Sequence, residues 1–149
     1  MDASINILFS RNYDPNFPML LRLHNNSHTQ FNLIGYSYGS LIAAQLAIKY
    51  ATKGSKIDYL VLIGSPISRE FLTRLHNVAN IQKIIVMDLD RQGDPIYAGI
   101  SKLELAANLL NIYDQMQNAT GHFYYAKEGS IGNKRRKLLA DHLHQAGLR

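Results

Sequence analysis

The stretch FNLIGYSYGSLIAAQLA, residues 31–47, changes character twice along its length. It begins with residues typical of a buried strand, continues as Gly35-Tyr36-Ser37-Tyr38-Gly39, and ends in an alanine-rich helical pattern. A serine between two glycines at a strand-to-helix turn has two explanations. It is either a nucleophile held on a strained turn or part of an ordinary connection, and the rest of the chain has to decide between them.

On both sides of this stretch, short apolar runs alternate with helical patterns. The runs are rich in Ile, Leu and Val and lie at residues 5–9, 31–34, 59–63, 83–87 and 109–113. Helices are expected over residues 16–25, 39–52, 68–77, 100–107 and 134–146, with Gly147 as the last helix stop. Runs that are apolar on both faces are typical of parallel strands covered by helices. We therefore predict an α/β fold with a mainly parallel sheet of about five strands, forming one domain over residues 1–149.

Composition and charge exclude several classes of protein. Hydrophobic residues make up 46% of the 149 residues and charged residues 18%, which is typical of a globular chain. The chain has no cysteine, so it forms no disulfide. Its histidines and acids show no metal-ligand spacing, so neither a metal nor another cofactor is expected. With no signal peptide and no apolar run of about 20 residues, a cytoplasmic location is predicted, and export by a signal-independent route stays open.

The C-terminal end of the chain is basic. Lys134, Arg135, Arg136, Lys137 and Arg149 face a single acid, Asp141, which gives the last sixteen residues a net charge of +4. No nucleic-acid motif or aromatic platform accompanies these cations, so no nucleic-acid partner is predicted. Two interpretations remain. The cations either form a solvated face of a terminal helix or contact an anionic lipid surface as a peripheral membrane contact.

The Gly-x-Ser-x-Gly pattern at Gly35, Ser37 and Gly39 matches a nucleophile elbow when it follows a strand and opens a helix. The serine of such an elbow sits in a strained backbone that lifts its hydroxyl above the sheet, and the flanking glycines keep side chains away from the adjacent strand and helix. Small residues then recur at every fourth position, at Gly39, Ala43, Ala47 and Ala51. This stripe would let the helix approach the sheet closely.

Downstream of the elbow, candidate partners for Ser37 occur in a defined order. The segment MDLDRQGDPIY contains Asp88, Asp90 and Asp94, and NATGHFYYA contains His122. With this order of serine, acid and histidine, residues 31–123 resemble the α/β-hydrolase superfamily. GDPI is similar to the acid loop of that family, TGHF to its histidine loop, and LVLIGSPI to the strand and turn that follow the elbow helix in lipases. The resemblance implies a minimal three-layer sandwich with the triad Ser37, Asp94 and His122, and Asp88 and Asp90 stay open as the acid.

The resemblance also implies acyl transfer, in which Ser37 attacks a carbonyl carbon and His122 moves the proton. The N–H of Tyr38 would be one donor of the oxyanion hole. Family members usually have several strands before the elbow, whereas only 36 residues precede Ser37 here. We expect residues 5–9 to lie beside residues 31–34, so that Ser10, Arg11 or Asn12 supplies the second donor. Without that neighbour the elbow strand would be an open edge, and the chain would be a fragment or would pair with a second copy or a partner chain.

The sequence leaves three alternative functions for this protein. The first is a serine esterase or lipase-like hydrolase. The short segment between Ser65-Pro66 and the acid strand leaves no room for a large lid, and an open site suits a small-molecule or lipid ester or thioester. The C-terminal tail also resembles that of bacterial lipase-like hydrolases, including antibacterial phospholipase effectors. The second is a non-catalytic hydrolase-fold module that binds a partner or a hydrophobic ligand. The third is a flavodoxin-like or other doubly wound binding protein with a coincidental elbow, which the absence of phosphate-binding glycines after the first strand disfavours.

Overall fold

The structure is a computed structural model that describes residues 7–8 and 30–149. Its sheet has four parallel strands in the order β1 (Ile7–Leu8), β2 (Asn32–Tyr36), β3 (Ile57–Ile63) and β4 (Ile81–Met87). The predicted α/β fold with a parallel sheet is therefore confirmed. Strand β1 lies beside β2, as expected, so β2 has a neighbour on each side and an open edge at β2 no longer argues for a partner chain.

Five α-helices follow within residues 30–149. They are α1 (Tyr38–Ala51), α2 (Arg69–His76), α3 (Lys102–Ala107), α4 (Leu109–Asn118) and α5 (Gly129–Gln145). Four of them correspond to predicted helices, although α5 begins five residues earlier than expected. The helix predicted over residues 16–25 lies outside the described residues. Within the described part of the chain, no helix is long and apolar enough to cross a membrane.

The prediction of a fifth strand over residues 109–113 is wrong, because these residues open helix α4. Leu109 and Leu110 are 60% and 84% exposed, whereas a strand inside a covered sheet would bury such side chains. A five-residue apolar run is too short for its periodicity to separate a strand from a helix. The described sheet therefore ends at β4, and the chain between Met87 and His122 consists of turns and helices.

Alternating side chains of the strands build two apolar layers. On one face, Leu33, Leu60 and Leu62 pack in a cluster with Ala43 and Ala47 of α1. On the other face, Ile34, Val61 and Ile63 pack with Leu139 and Leu143 of α5. Since successive residues of a strand point to opposite faces, one strand contributes to both layers. The result is the expected three-layer arrangement of helix, sheet and helix.

Gly35 allows helix α1 to begin directly above the end of β2. A Cβ atom at this position would lie 2.5 Å from the carbonyl oxygen of Gly39 and 2.7 Å from the backbone nitrogen of Ser40. Both are backbone atoms, which cannot move aside as the end of a flexible side chain can. The absence of a side chain at Gly35 therefore sets how tightly the chain turns from β2 into α1.

We predict that Gly35→Ala lowers the free energy of unfolding by about 1–3 kcal/mol or more, because the added methyl group overlaps the backbone of α1. Chemical denaturation followed by circular dichroism measures this change. The matched control is Gln45→Ala, which introduces alanine at an exposed position of α1 and should change stability by less than about 0.5 kcal/mol. Equal stability of Gly35→Ala and the unaltered chain would show that the turn tolerates a side chain.

Candidate active site

Ser37 occupies the turn between β2 and α1 in a strained backbone conformation. Its φ of 56° and ψ of −130° lie in a region that residues with a side chain rarely adopt, and such a residue costs on the order of 1–3 kcal/mol. The neighbours hold it there. The Ser37 N–H donates to the carbonyl of Ile63 at 2.9 Å, and the Ser40 N–H donates to the carbonyl of Ser37 at 3.0 Å. The buried Ser40 hydroxyl also lies within hydrogen-bond distance of that carbonyl and of the Ser65 hydroxyl.

The hydroxyl of Ser37 points toward a histidine instead of capping its own helix. A serine at the N-cap of a helix ordinarily accepts a hydrogen bond from a backbone N–H of the first turn. Ser37 is the N-cap of α1 but makes no side-chain cap bond. Its Oγ lies 2.5 Å from Nε2 of His122. The turn thus gives up a stabilising contact and instead places the hydroxyl on the imidazole.

His122 and Asp94 form a buried pair behind the serine. Nδ1 of His122 lies 2.8 Å from Oδ2 of Asp94, and Asp94 Oδ1 accepts the N–H of Ile96 at 2.8 Å. His122 is 4% exposed and Asp94 8%. Because a carboxylate only accepts, the proton of a neutral imidazole belongs on Nδ1, which leaves the lone pair of Nε2 facing Ser37.

The other two candidate acids lie elsewhere in the loop that follows β4. Asp88 Oδ1 accepts the backbone N–H of Ala98 at 2.9 Å, and Asp90 begins a short 3-10 turn over Asp90–Gln92. Of the three acids, the structure brings only Asp94 to the imidazole. Gly64, at the end of β3, makes room for this contact, since a Cβ there would lie 3.1 Å from Asp94 Oδ2. Gly64 also has a φ of 51°, which favours glycine.

Of the predicted oxyanion donors, Tyr38 is among the residues that the structure describes. Tyr38 is the first residue of α1, and the N–H groups of a first helical turn have no acceptor within their own helix. Its backbone N–H is therefore available beside Ser37. Ser10, Arg11 and Asn12 lie outside the described residues.

Two further residues contact His122 that the sequence did not single out. The Tyr36 hydroxyl donates to the carbonyl oxygen of His122, and its ring stacks against the imidazole at a centroid distance of 5.9 Å. Gln115 of α4 accepts the backbone N–H of His122 with Oε1 at 2.7 Å. Tyr36 lies inside the Gly-x-Ser-x-Gly motif, so its position was a usable signal. No sequence motif marks Gln115. The apolar residues of α4 are partly on its exposed side, so their pattern does not show which side of the helix faces the protein.

Two arginines of the basic cluster bind backbone on both sides of His122 in the sequence. Arg135 donates to the carbonyls of Ala119 and Tyr124, and its guanidinium carbon lies 3.9 Å from the centre of the Tyr124 ring. Arg136 donates to the carbonyls of Tyr125 and Lys127. These two arginines therefore hold backbone of the 3-10 segment Gly121–Ala126 and of its flanks, which neither predicted interpretation of the cluster included.

The site offers no grouping suited to a metal. Among residues 7–8 and 30–149, no three His, Cys, Asp or Glu side chains lie together as a metal would require. The charged group beside the imidazole is the carboxylate of Asp94. What the arrangement can do chemically is move a proton from the Ser37 hydroxyl to Nε2 of His122.

Burial, reinforced by the nearby charge of Asp94, raises the pKa of Tyr36 above its ordinary value of 10.0. Above pH 10 the unfolded chain releases this proton while the folded chain retains it, so stability falls as the pH rises. We predict that Tyr36→Phe lowers the free energy of unfolding by about 1 kcal/mol at pH 7, through the lost hydrogen bond. The variant should also lose less stability than the unaltered chain above pH 10.

Urea denaturation at a series of pH values measures both effects. Tyr113→Phe, at an exposed tyrosine of α4, is the control and should match the unaltered chain at pH 7. A Tyr36→Phe variant with unchanged stability and an unchanged alkaline slope would contradict the role given to the half-buried Tyr36 hydroxyl.

Comparison with known proteins agrees with the geometry. A sequence model of the family described as "alpha/beta hydrolase fold" matches residues 21–125, which include β2 through the histidine loop. Searches of curated proteins and of solved structures find no significant match. The family match excludes the flavodoxin-like interpretation and covers well over half of the chain. The chain therefore belongs to the alpha/beta hydrolase fold family, most of whose members are hydrolases.

Proposed function

We propose that this protein is a serine hydrolase that cleaves carboxylic esters through an acyl-enzyme, with Ser37 as nucleophile, His122 as base and Asp94 as the acid. The observation that carries the proposal is the continuous contact from Ser37 Oγ to His122 Nε2 and from His122 Nδ1 to Asp94 Oδ2. A coincidental serine turn would not need these three side chains to meet. The strained backbone of Ser37 and its missing helix cap support the same function, since local rules of stability are commonly broken at functional sites.

The reaction would follow from the positions of the protons. As Ser37 Oγ attacks the ester carbonyl carbon, its proton passes to Nε2 of His122, and Asp94 stabilises the imidazolium that forms. His122 then gives the proton to the leaving alcohol, and the acyl group stays on Ser37. In the second half of the reaction, water attacks the carbonyl carbon of the acyl group and passes a proton to His122. His122 returns this proton to Ser37 Oγ as the carboxylic acid leaves.

We propose that the oxyanion of the tetrahedral intermediate is held by the N–H of Tyr38 and by a backbone N–H of Ser10 or Arg11. The positive end of α1 supports the first assignment. The register of the sheet supports the second. Leu8 of β1 lies opposite Gly35 of β2 in the parallel pair, and Ser10 and Arg11 follow Leu8 in the sequence by two and three positions. A donor of this kind contributes roughly 3 kcal/mol to lowering the barrier.

The substrate we propose is an ester that reaches a half-buried serine beside an exposed aromatic side chain. Ser37 is partly accessible, and Tyr38 next to it is 64% exposed. Such a surface suits a small-molecule or lipid acyl chain. A lipid contact of the basic C-terminus is a separate proposal, and it rests on the remaining cations because the guanidinium groups of Arg135 and Arg136 already bind backbone carbonyls.

The first test is labelling with a fluorophosphonate probe, which reacts with an activated serine whatever the natural substrate. We predict labelling of the unaltered chain and none of Ser37→Ala. Asp94→Asn should slow labelling on the order of 10^3- to 10^4-fold, because the amide no longer holds the imidazole in the required tautomer. The matched control is Asp88→Asn in the same loop, which should label within about twofold of the unaltered rate.

Labelling that survives in Ser37→Ala, or that falls equally in Asp88→Asn and Asp94→Asn, would contradict the assignment. An unlabelled but folded protein would leave the hydrolase-fold binding module as the better description of this chain.

The second test separates a backbone donor from a side chain at the predicted oxyanion loop. Proline removes the backbone N–H, whereas alanine keeps it and removes only the side chain. We predict that either Ser10→Pro or Arg11→Pro lowers kcat for a p-nitrophenyl ester about 10^2- to 10^3-fold, while the alanine variant at the same position retains activity. Full activity in both proline variants, with unchanged folding by circular dichroism, would refute a donor at Ser10 or Arg11.

A further inference from the structure

The strongest unassigned feature of the site is the polar attachment of helix α4. This helix has no fully buried residue, and Leu110, Tyr113 and Met116 on its surface are exposed. Apolar packing therefore does little to fix α4 against the rest of the protein. Its half-buried Gln115, in contrast, bonds to two loops at once.

The side-chain amide of Gln115 connects the acid loop to the histidine loop. Oε1 accepts the backbone N–H of His122 at 2.7 Å, and Nε2 donates to the carbonyl of Gly93 at 2.7 Å. Gly93 directly precedes Asp94. One side chain thus fixes the distance between the backbones that carry the two members of the buried pair.

The backbone near Gln115 also brings its amide close to the histidine loop. Its carbonyl accepts the N–H of Thr120 at 3.2 Å, which turns the chain from α4 into the histidine loop. A Cβ on Gly121 would lie 2.6 Å from Nε2 of Gln115 and closer still to the other atoms of the amide. Gly121 also has a φ of 46°. The glycine before His122 therefore leaves space that the Gln115 amide fills.

Only a carboxamide suits both partners. The group facing Oε1 is a donor and the group facing Nε2 is an acceptor, and glutamine offers one of each at the required reach. An ionised carboxylate would accept from His122 but would set an oxygen against the carbonyl of Gly93. An aliphatic chain would leave both backbone groups without this partner.

We infer that Gln115 is a positioning residue that holds the imidazole of His122 in register with Asp94 and Ser37. This inference rests on the proposed function. Gln115 does not touch the reacting atoms and acts through the backbones of Gly93 and His122. Because small misplacements of a catalytic group cost up to about 100-fold in rate, its loss should affect reactivity more than stability.

The test compares Gln115→Leu with Gln117→Leu, the same substitution at an exposed position of the same helix. The rate of phosphonylation of Ser37 by a fluorophosphonate should fall about 10- to 100-fold in Gln115→Leu and change by less than about twofold in Gln117→Leu. For ester hydrolysis, the loss should appear in kcat, with KM little changed. A Gln115→Leu variant that reacts at the unaltered rate overturns the inference.

Gln115→Glu supplies a readout that a merely structural role would not move. A protonated carboxyl group offers both a donor and an acceptor, as the amide does, whereas the ionised group offers only acceptors. The rate of Gln115→Glu relative to the unaltered chain should therefore rise as the pH is lowered. A ratio that stays constant or falls contradicts the paired hydrogen bonds.

A nuclear magnetic resonance measurement on the full chain keeps the test independent of any hydrolase activity. We expect faster hydrogen exchange of the His122 backbone amide and a weakened signal of its Nδ1 proton in Gln115→Leu, with neither change in Gln117→Leu. If the unaltered protein does not react with the probe, the proposed function fails, and these signals still decide the role of Gln115. Unchanged signals in Gln115→Leu overturn it.

Discussion

The backbone of Ser37 at positive φ is the constraint around which the site is arranged. Strand β2 ends at Tyr36 and α1 begins at Tyr38, so the single residue Ser37 connects them and takes a positive φ. Gly35 has no side chain, so the backbone of α1 can pass close to it. The backbone hydrogen bonds from Ser37 to Ile63 and from Ser40 to Ser37 fix the turn in place. The strain is tolerable because the central strand β3 and the packed helix α1 determine the surrounding geometry. Its product is a hydroxyl that is turned away from its own helix and onto His122.

The other two members of the proposed triad lie outside the sheet, and polar contacts hold their backbones in position. Asp94 and His122 lie beyond the last described strand, where no sheet hydrogen bonds position them. Tyr36 anchors the carbonyl of His122, and Gln115 links the backbones of Gly93 and His122. Arg135 holds the chain just after the histidine from α5. The turn at the end of β2 therefore positions Ser37, whereas side-chain hydrogen bonds to backbone position the loops of Asp94 and His122.

The sequence predicted the parts of this arrangement that depend on local pattern. The Gly-x-Ser-x-Gly turn and its strand and helix can be predicted from the sequence. Close backbone contacts within a few residues require glycine and other small residues at fixed spacings. The order of serine, acid and histidine, together with the resemblance of GDPI to an acid loop, favoured Ser37, Asp94 and His122, with Asp88 and Asp90 open as the acid. The strand predicted over residues 109–113 is wrong because Leu109, Leu110 and Tyr113 are exposed on a helix, which reverses the usual link between hydrophobicity and burial. Gln115, Arg135 and Arg136 could not be anticipated, since each bonds to the backbone of a segment that folds against it only in three dimensions.

Mass spectrometry of the protein quenched during turnover of a p-nitrophenyl ester shows whether Ser37 carries the acyl group. We predict a mass increase of one acyl group on the peptide containing Ser37, formed in a burst of p-nitrophenol and absent when His122 is replaced by alanine. Hydrolysis without any adduct on Ser37, or an adduct on another residue that forms equally without His122, would refute Ser37 as the nucleophile.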